Sequence, residues 1–295
     1  MSNLPQIKKI LEKYNKIPKK SLGQNFLTEP GIAKKIAELC NSSAENEDAG
    51  VIEIGPGLGI LTSELCSLYK KVVAVEIDKT FGPILNENLN NFDNLNIIFD
   101  DILKIDLQEL IKNKFSGLDK IYICANLPYY ITTPVILKLI KSDIKFSGIT
   151  LMLQKEAADK LCSKPGDESY NATSVIISYY GVAKKTFNVA KSNFYPSPHV
   201  LSTVIKITPH EIPVANPKNI DFMFKVIEAA FGQRRKTLVN ALSSGLNIDK
   251  QTVGATLAVA LANKNIAAPE TIRGEELDVK SFSDISDLIY ETIIK

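Results

Sequence analysis

The chain is poor in the residue types that many catalytic sites draw on. Of its 295 residues only His199 and His210 are histidines, and neither belongs to a Ser/His/Asp or His-metal arrangement. Hydrolase and metalloenzyme readings therefore start weak, both imidazoles read as structural or surface groups, and no metal site is expected. The four cysteines, Cys40, Cys66, Cys124 and Cys162, form no Cys-x-x-Cys pair, which argues against zinc and against a thioredoxin-like motif. They read as small buried apolar residues of a reducing compartment. No stretch approaches the roughly 18 uninterrupted apolar residues of a membrane helix, and the N-terminus lacks the apolar core of a secretory signal. A cytoplasmic location with no membrane partner is the expectation.

An excess of one charge is also missing, since the formal net charge is only +2. The charge is nevertheless uneven. Residues 1–20 hold six lysines (Lys8, Lys9, Lys13, Lys16, Lys19, Lys20) against one acid, Glu12. Such a cluster suits phosphates, and it suits a solvated terminus equally well.

What is present is a chain with 45% hydrophobic residues, long enough for one large α/β domain and a smaller appendage. A helical segment near residues 30–40, with Pro30 in its first turn, leads into a polar linker from Asn41 to Gly50. Strands and helices then alternate. Apolar, β-branched runs recur at Val51–Ile54, Val72–Val75, Asn96–Phe99, Ile121–Ala125 and Ile149–Leu153, each separated by enough residues for a crossover helix. That spacing predicts a parallel sheet covered on both faces. Thr186–Ala190 and Val200–Ile207 are joined by a Pro-rich loop too short for a helix, which predicts an antiparallel hairpin at a sheet edge. Beyond Thr208 come Pro209, Pro213 and Pro217, and then helix-spaced apolar residues at Phe224, Ile227, Leu238, Leu257, Leu261, Ile285, Leu288 and Ile289. The pattern predicts a Rossmann-like sheet of the class I methyltransferase type with a terminal hairpin, followed by a small all-helical C-terminal domain. The boundaries read as 1–208 and 209–295.

Gly55-Pro56-Gly57-Leu58-Gly59 follows a strand and opens a helix, where glycines permit a tight turn and a close backbone approach to a ligand. Glu76 ends the second strand 21 residues after Gly55, near the separation at which a carboxylate meets ribose hydroxyls. A dinucleotide fingerprint would place its third glycine at position 60, where Ile60 stands, and that weakens a nicotinamide reading. A ligand without a pyrophosphate, such as S-adenosylmethionine, needs the helix terminus less. Asp101 and Asn126 fall after later strands, outside the carboxyl ends where open parallel sheets bind ligands. Asp100 or Asp101 suits a helix N-cap equally, and spacing does not separate the roles.

Asn126-Leu127-Pro128-Tyr129 combines a side-chain amide, a Pro-constrained backbone and an aromatic ring. The Asn126 amide oxygen and the Leu127 carbonyl, extended by Pro128, are two acceptors suited to the hydrogens of an adenine N6 amino group. They favour positive charge developing on that nitrogen, and Tyr129 offers a face for stacking the base. Phe194, in the Phe194-Tyr195-Pro196-Ser197-Pro198 loop, is the candidate for the opposite wall.

Together these residues resemble the ribosomal RNA adenine N6,N6-dimethyltransferases. The resemblance spans nearly the whole chain and includes Lys20-Ser21-Leu22-Gly23-Gln24-Asn25-Phe26-Leu27 and Ala230-Phe231-Gly232-Gln233-Arg234-Arg235-Lys236-Thr237-Leu238. It implies that Asn25 and Leu27 join Gly55, Gly57, Glu76, Asp101 and Asn126 around S-adenosylmethionine, leaving S-adenosylhomocysteine as product. It also implies a substrate: two adjacent adenosines in a loop near the 3′ end of small-subunit rRNA, within an assembling 30S particle, with a role in ribosome biogenesis. Lys19, Lys20, Arg234, Arg235 and Lys236 are the candidate RNA contacts, and a monomer is expected. Residues 211–295 carry 10 Lys/Arg and 11 Asp/Glu, so any basic surface there is local. The rivals are a large-subunit rRNA adenine methyltransferase of the antibiotic-resistance type and a non-catalytic RNA-binding assembly factor.

Overall fold

The computed structural model describes residues 4–40, 48–262 and 271–294, apart from the side chains of Lys20, Tyr129, Ile293 and Ile294. Most of the expected linker, 41–47, lies outside the described residues.

Nine strands are present among the described residues: β1 (Phe26–Leu27), β2 (Ala49–Ile54), β3 (Lys71–Glu76), β4 (Leu95–Phe99), β5 (Lys120–Asn126), β6 (Gly148–Gln154), β7 (Gly181–Val189), β8 (Phe194–Tyr195) and β9 (Ser202–Pro209). Seven form one sheet in the order β4-β3-β2-β5-β6-β9-β7. Strands β2 to β6 pair in parallel, and β9 runs antiparallel to β6 with Leu151 opposite Ile205. Every residue of β2 is buried, and apart from Glu53 it reads as an apolar run rather than an alternating one. On β7 and β9, Thr186 Oγ1 donates to the Val204 carbonyl and Thr203 Oγ1 to Asn188 Oδ1. The two strands therefore run in opposite directions at the sheet edge, as a hairpin requires. Strand β2 begins at Ala49, two residues earlier than the apolar run alone suggests, because Lys70 N donates to the Ala49 carbonyl.

The chain leaves β2 toward β3 on one side of the sheet and later returns to β5 on the other. This reversal opens a crevice at the carboxyl ends of β2 and β5, where a doubly wound sheet binds its ligand. Gly55 and Asn126 stand at those two ends.

The chain divides into one compact unit of Met1–Ala158 and Ala183–Pro209, and a second of Asp159–Val182 and His210–Lys295. The segment Asp159–Val182 thus belongs with the helical unit, not with the sheet domain where its sequence position put it. The physical reason is packing. Helix Ala172–Tyr180 packs on helix Ile220–Gly232, and the buried Tyr170 hydroxyl donates to the Leu277 carbonyl at 3.0 Å. Asn171 caps the first of these helices in a reciprocal box with Ser174. Within the helical unit Phe224, Ile227, Leu238, Leu257, Leu261, Ile285 and Ile289 are buried as their periodicity implies, whereas Leu288 is half-buried. His210 donates through Nε2 to the Ser178 carbonyl at 2.9 Å, a structural use of the imidazole.

Candidate active site

The crevice in the first unit is lined by Gly23–Leu27, Gly55–Leu58, Glu76, Asp100–Leu103, Asn126–Pro128, Tyr130 and Phe194, among others. Each wall has a local cause. Gly55 and Gly57 have φ of +72° and +58°, and a Cβ on Gly57 would lie 3.2 Å from the Phe26 ring. Glycine at 57 is required both by the left-handed backbone and by the aromatic packed on it. A Cβ on Gly55 would meet nothing within 4 Å, so the backbone there faces open space. Gly59, also left-handed, stands at the N-cap of the helix Ile60–Leu68.

Glu76 ends β3 and is 5% exposed. Its Oε2 accepts from Gly57 N at 3.2 Å and its Oε1 from Asp78 N at 2.9 Å. Burial pushes its carboxyl up, against backbone N–H groups that pull it down. Each oxygen keeps a lone pair for hydroxyl donors from a ligand. Asp101 lines the crevice while its Oδ1 accepts from Leu103 N at 3.0 Å, so it caps a turn and faces the cleft at once.

Glu53 was missed in the sequence. It is 1% exposed, lines the same crevice, and burial together with the charge of Glu76 pushes its carboxyl up to about 8. Its Oε2 is buried with no hydrogen-bond partner among the described residues. An unpaired buried carboxyl oxygen, a second carboxyl with spare lone pairs and an open glycine backbone suit a ligand that carries hydroxyls, as the ribose of S-adenosylmethionine does.

Asn126 ends β5, and its Nδ2 donates to the Asn25 carbonyl at 3.4 Å. Leu127 is 2% exposed and its N–H donates to the Met152 carbonyl at 3.0 Å. Pro128 (φ −56°, ψ 138°) leads into the 3-10 turn Tyr129–Ile131. The Tyr129 side chain lies outside the described residues; Tyr130 lines the crevice with 53% of its surface exposed. Phe194 sits not in a bare loop but in β8, which pairs with β1 so that Leu27 opposes Phe194 and Phe26 opposes Tyr195. Thr28 N reinforces the pair by donating to the Asn193 carbonyl at 2.8 Å. Two-residue strands leave no periodic signal, so this pairing was invisible in the sequence.

The candidate RNA contacts divide. Lys19, its side chain half exposed, places its Nζ 2.8 Å from the buried Asp78 Oδ2. Arg234 donates to the Glu168 and Tyr170 carbonyls at 2.8 and 3.2 Å and pairs with Glu275 at 3.6 Å, all within the helical unit. Arg235 and Lys236 are exposed and form no ion pair among the described residues. The Lys20 side chain is outside the described residues.

A parallel sheet ending in an antiparallel pair, with glycine loop, ribose-type carboxylate and Asn126 at its switch point, defines a class I S-adenosylmethionine-dependent methyltransferase. Over residues 15–272 the sequence matches the ribosomal RNA adenine dimethylases, and the chain belongs to that family. It is 44% identical to the ribosomal RNA small subunit methyltransferase A of Anoxybacillus flavithermus, across 96% of this chain and 94% of that protein. A dimethyladenosine transferase from Plasmodium falciparum superposes with a TM-score of 0.69 at 26% identity, covering 88% of this chain and 95% of the other. The 23S rRNA methyltransferase ErmE shares the fold, with a TM-score of 0.61, 21% identity, and coverage of 90% and 100%. The protein is thus an S-adenosylmethionine-dependent enzyme of rRNA. No helix among the described residues is long and apolar enough to cross a membrane.

Proposed function

We propose that this enzyme dimethylates N6 of two adjacent adenosines in a loop near the 3′ end of small-subunit rRNA, acting as a cytoplasmic monomer on an assembling 30S particle. The observation that carries the chemistry is the Asn126 amide, fixed at the crevice through the Asn25 carbonyl. With Nδ2 turned to Asn25, Oδ1 is left to accept a hydrogen from the target N6. The Leu127 carbonyl accepts the other. S-adenosylmethionine, when bound, supplies a methyl activated by its sulfonium. Asn25, Leu27, Gly55, Gly57, Glu76, Asp101 and Asn126 hold it, Glu76 through its ribose.

The two acceptors stabilise positive charge as it develops on N6, so no strong general base is needed and the departing proton passes to solvent. Phe194, in the crevice lining, offers one wall for the extruded base, and Tyr129 is assigned to the other by the sequence motif alone. After one transfer N6 retains a single hydrogen and satisfies one acceptor only, which makes the second transfer the more delicate. The 44% identity to a small-subunit enzyme along almost the entire chain supports the choice of RNA.

The test is to offer unmethylated small-subunit and large-subunit particles side by side with labelled S-adenosylmethionine. Methyl incorporation into the small-subunit particle alone is expected. Incorporation into the large-subunit RNA instead would reverse the assignment.

A further inference from the structure

Asp78 is a buried carboxylate, 6% exposed, two residues past Glu76 and absent from the residues lining the cofactor crevice. Both its oxygens are engaged. Oδ1 accepts from Thr80 N at 3.1 Å and Thr80 Oγ1 at 2.6 Å, which caps the following turn. Oδ2 accepts from Lys19 Nζ at 2.8 Å and from Gln24 Nε2 at 3.4 Å. Gln24 closes the ring, because its Oε1 accepts from Lys19 N at 2.7 Å.

The segment so gathered leads directly into the crevice. Leu22 to Leu27 form one of its walls, Asn25 holds the Asn126 amide, and the Phe26 ring packs 5.7 Å from that of Phe81. Asp78 also grips Glu76 through its own backbone N–H. One residue therefore ties the N-terminal wall to the turn that carries the ribose carboxylate. Burial pushes the Asp78 carboxyl up, but the hydrogen bonds from Lys19 and Thr80 outweigh it and hold the group at about 2, so it is charged at any working pH.

We propose that the Lys19–Asp78 ion pair is a latch that keeps residues 19–27 folded as a wall of the cofactor site, making Lys19 and Asp78 positioning residues for cofactor binding. Lys19 then serves the methyl donor and not the RNA phosphates for which its place in a basic terminus suited it. The latch belongs to the cofactor site and does not depend on which rRNA is the substrate.

Lys19 is the residue to change, because its side chain is half exposed while Asp78 also caps a turn. The full chain is prepared as parent, Lys19→Met and Lys19→Arg. Binding of S-adenosylhomocysteine is measured by calorimetry at low and high salt, and hydrogen exchange of residues 19–27 by mass spectrometry on ligand-free protein. Lys19→Met is expected to bind about tenfold more weakly, to lose the parent's salt dependence and to exchange faster over 19–27. Lys19→Arg is expected to restore affinity and protection. In turnover, KM for S-adenosylmethionine rises while kcat stays close to the parent's. Unchanged product affinity with unchanged exchange in Lys19→Met overturns the latch. So does a variant that loses RNA affinity while binding S-adenosylhomocysteine normally, which would return Lys19 to the RNA.

Discussion

The Asn126 side chain reaches the backbone carbonyl of Asn25, 101 positions earlier, at 3.4 Å. Through this hydrogen bond the N-terminal wall and the Asn126-Leu127-Pro128 segment share one amide. If the bond sets which face of the amide meets the substrate, Asn126 acts by orientation as much as by identity.

Asn126→Ala should therefore keep the fold and lose turnover by about 10²–10³-fold, the cost of removing a donor or acceptor aimed at developing charge. Thermal unfolding and single-turnover methyl transfer, measured together, check this. Turnover within a few fold of the parent would remove Asn126 from the role.

Gly57→Ala should weaken S-adenosylhomocysteine binding and destabilise the protein by about 1–2 kcal/mol, since φ is +58° and the added Cβ meets Phe26 at 3.2 Å. Calorimetric binding and denaturant unfolding read the two effects. Parent-like values in both would mean the loop relaxes without cost.

Glu53 makes stability fall as pH rises. Its folded carboxyl titrates at about 8, above its ordinary value of 4.5. Between those values the folded state holds a proton that the unfolded state has released, so each step upward in pH favours unfolding until the folded group also ionises. Glu53→Gln should be more stable than the parent at pH 8 by on the order of a few kcal/mol, with the difference vanishing near pH 4. Parallel pH–stability curves for the two proteins would contradict this.

Arg234 and its neighbours should separate in mutants. Arg235→Glu with Lys236→Glu should lower rRNA affinity and flatten its salt slope by roughly one for each phosphate no longer neutralised. Arg234→Ala should instead lower stability by about 1 kcal/mol, because its carbonyl partners lie within its own unit. Filter binding across a salt series and chemical unfolding distinguish the two. An unchanged slope in the double variant would take the patch out of RNA binding.

Strands β2, β3, β5 and β6 were legible because nearly all their residues are buried and they read as largely apolar runs, whereas β4, half-buried throughout, was legible from its β-branched Ile97 and Ile98. The glycine loop, Glu76 and Asn126 were legible because each sits at a fixed distance from a strand end. The pairing of Phe26 and Leu27 with Phe194 and Tyr195 was not, since two residues carry no period. The Lys19–Asp78 pair joins positions 59 apart, and a local count of charges saw only a basic terminus. The segment Asp159–Val182 was placed with the sheet domain because it lies between two of its strands in sequence, and an apolar helix face does not name the surface it covers. Glu53 hid inside an apolar strand, where burial rather than residue type makes it unusual.

Dimethylation at N6 is read from the modified base itself. The parent and Asn126→Ala are incubated with unmethylated small-subunit particles and labelled S-adenosylmethionine, and the RNA is digested to nucleosides and separated. Labelled N6,N6-dimethyladenosine is expected from the parent, at two modified residues per particle, and almost none from the variant. Label found in another nucleoside, or none from a parent that binds S-adenosylhomocysteine, would contradict it.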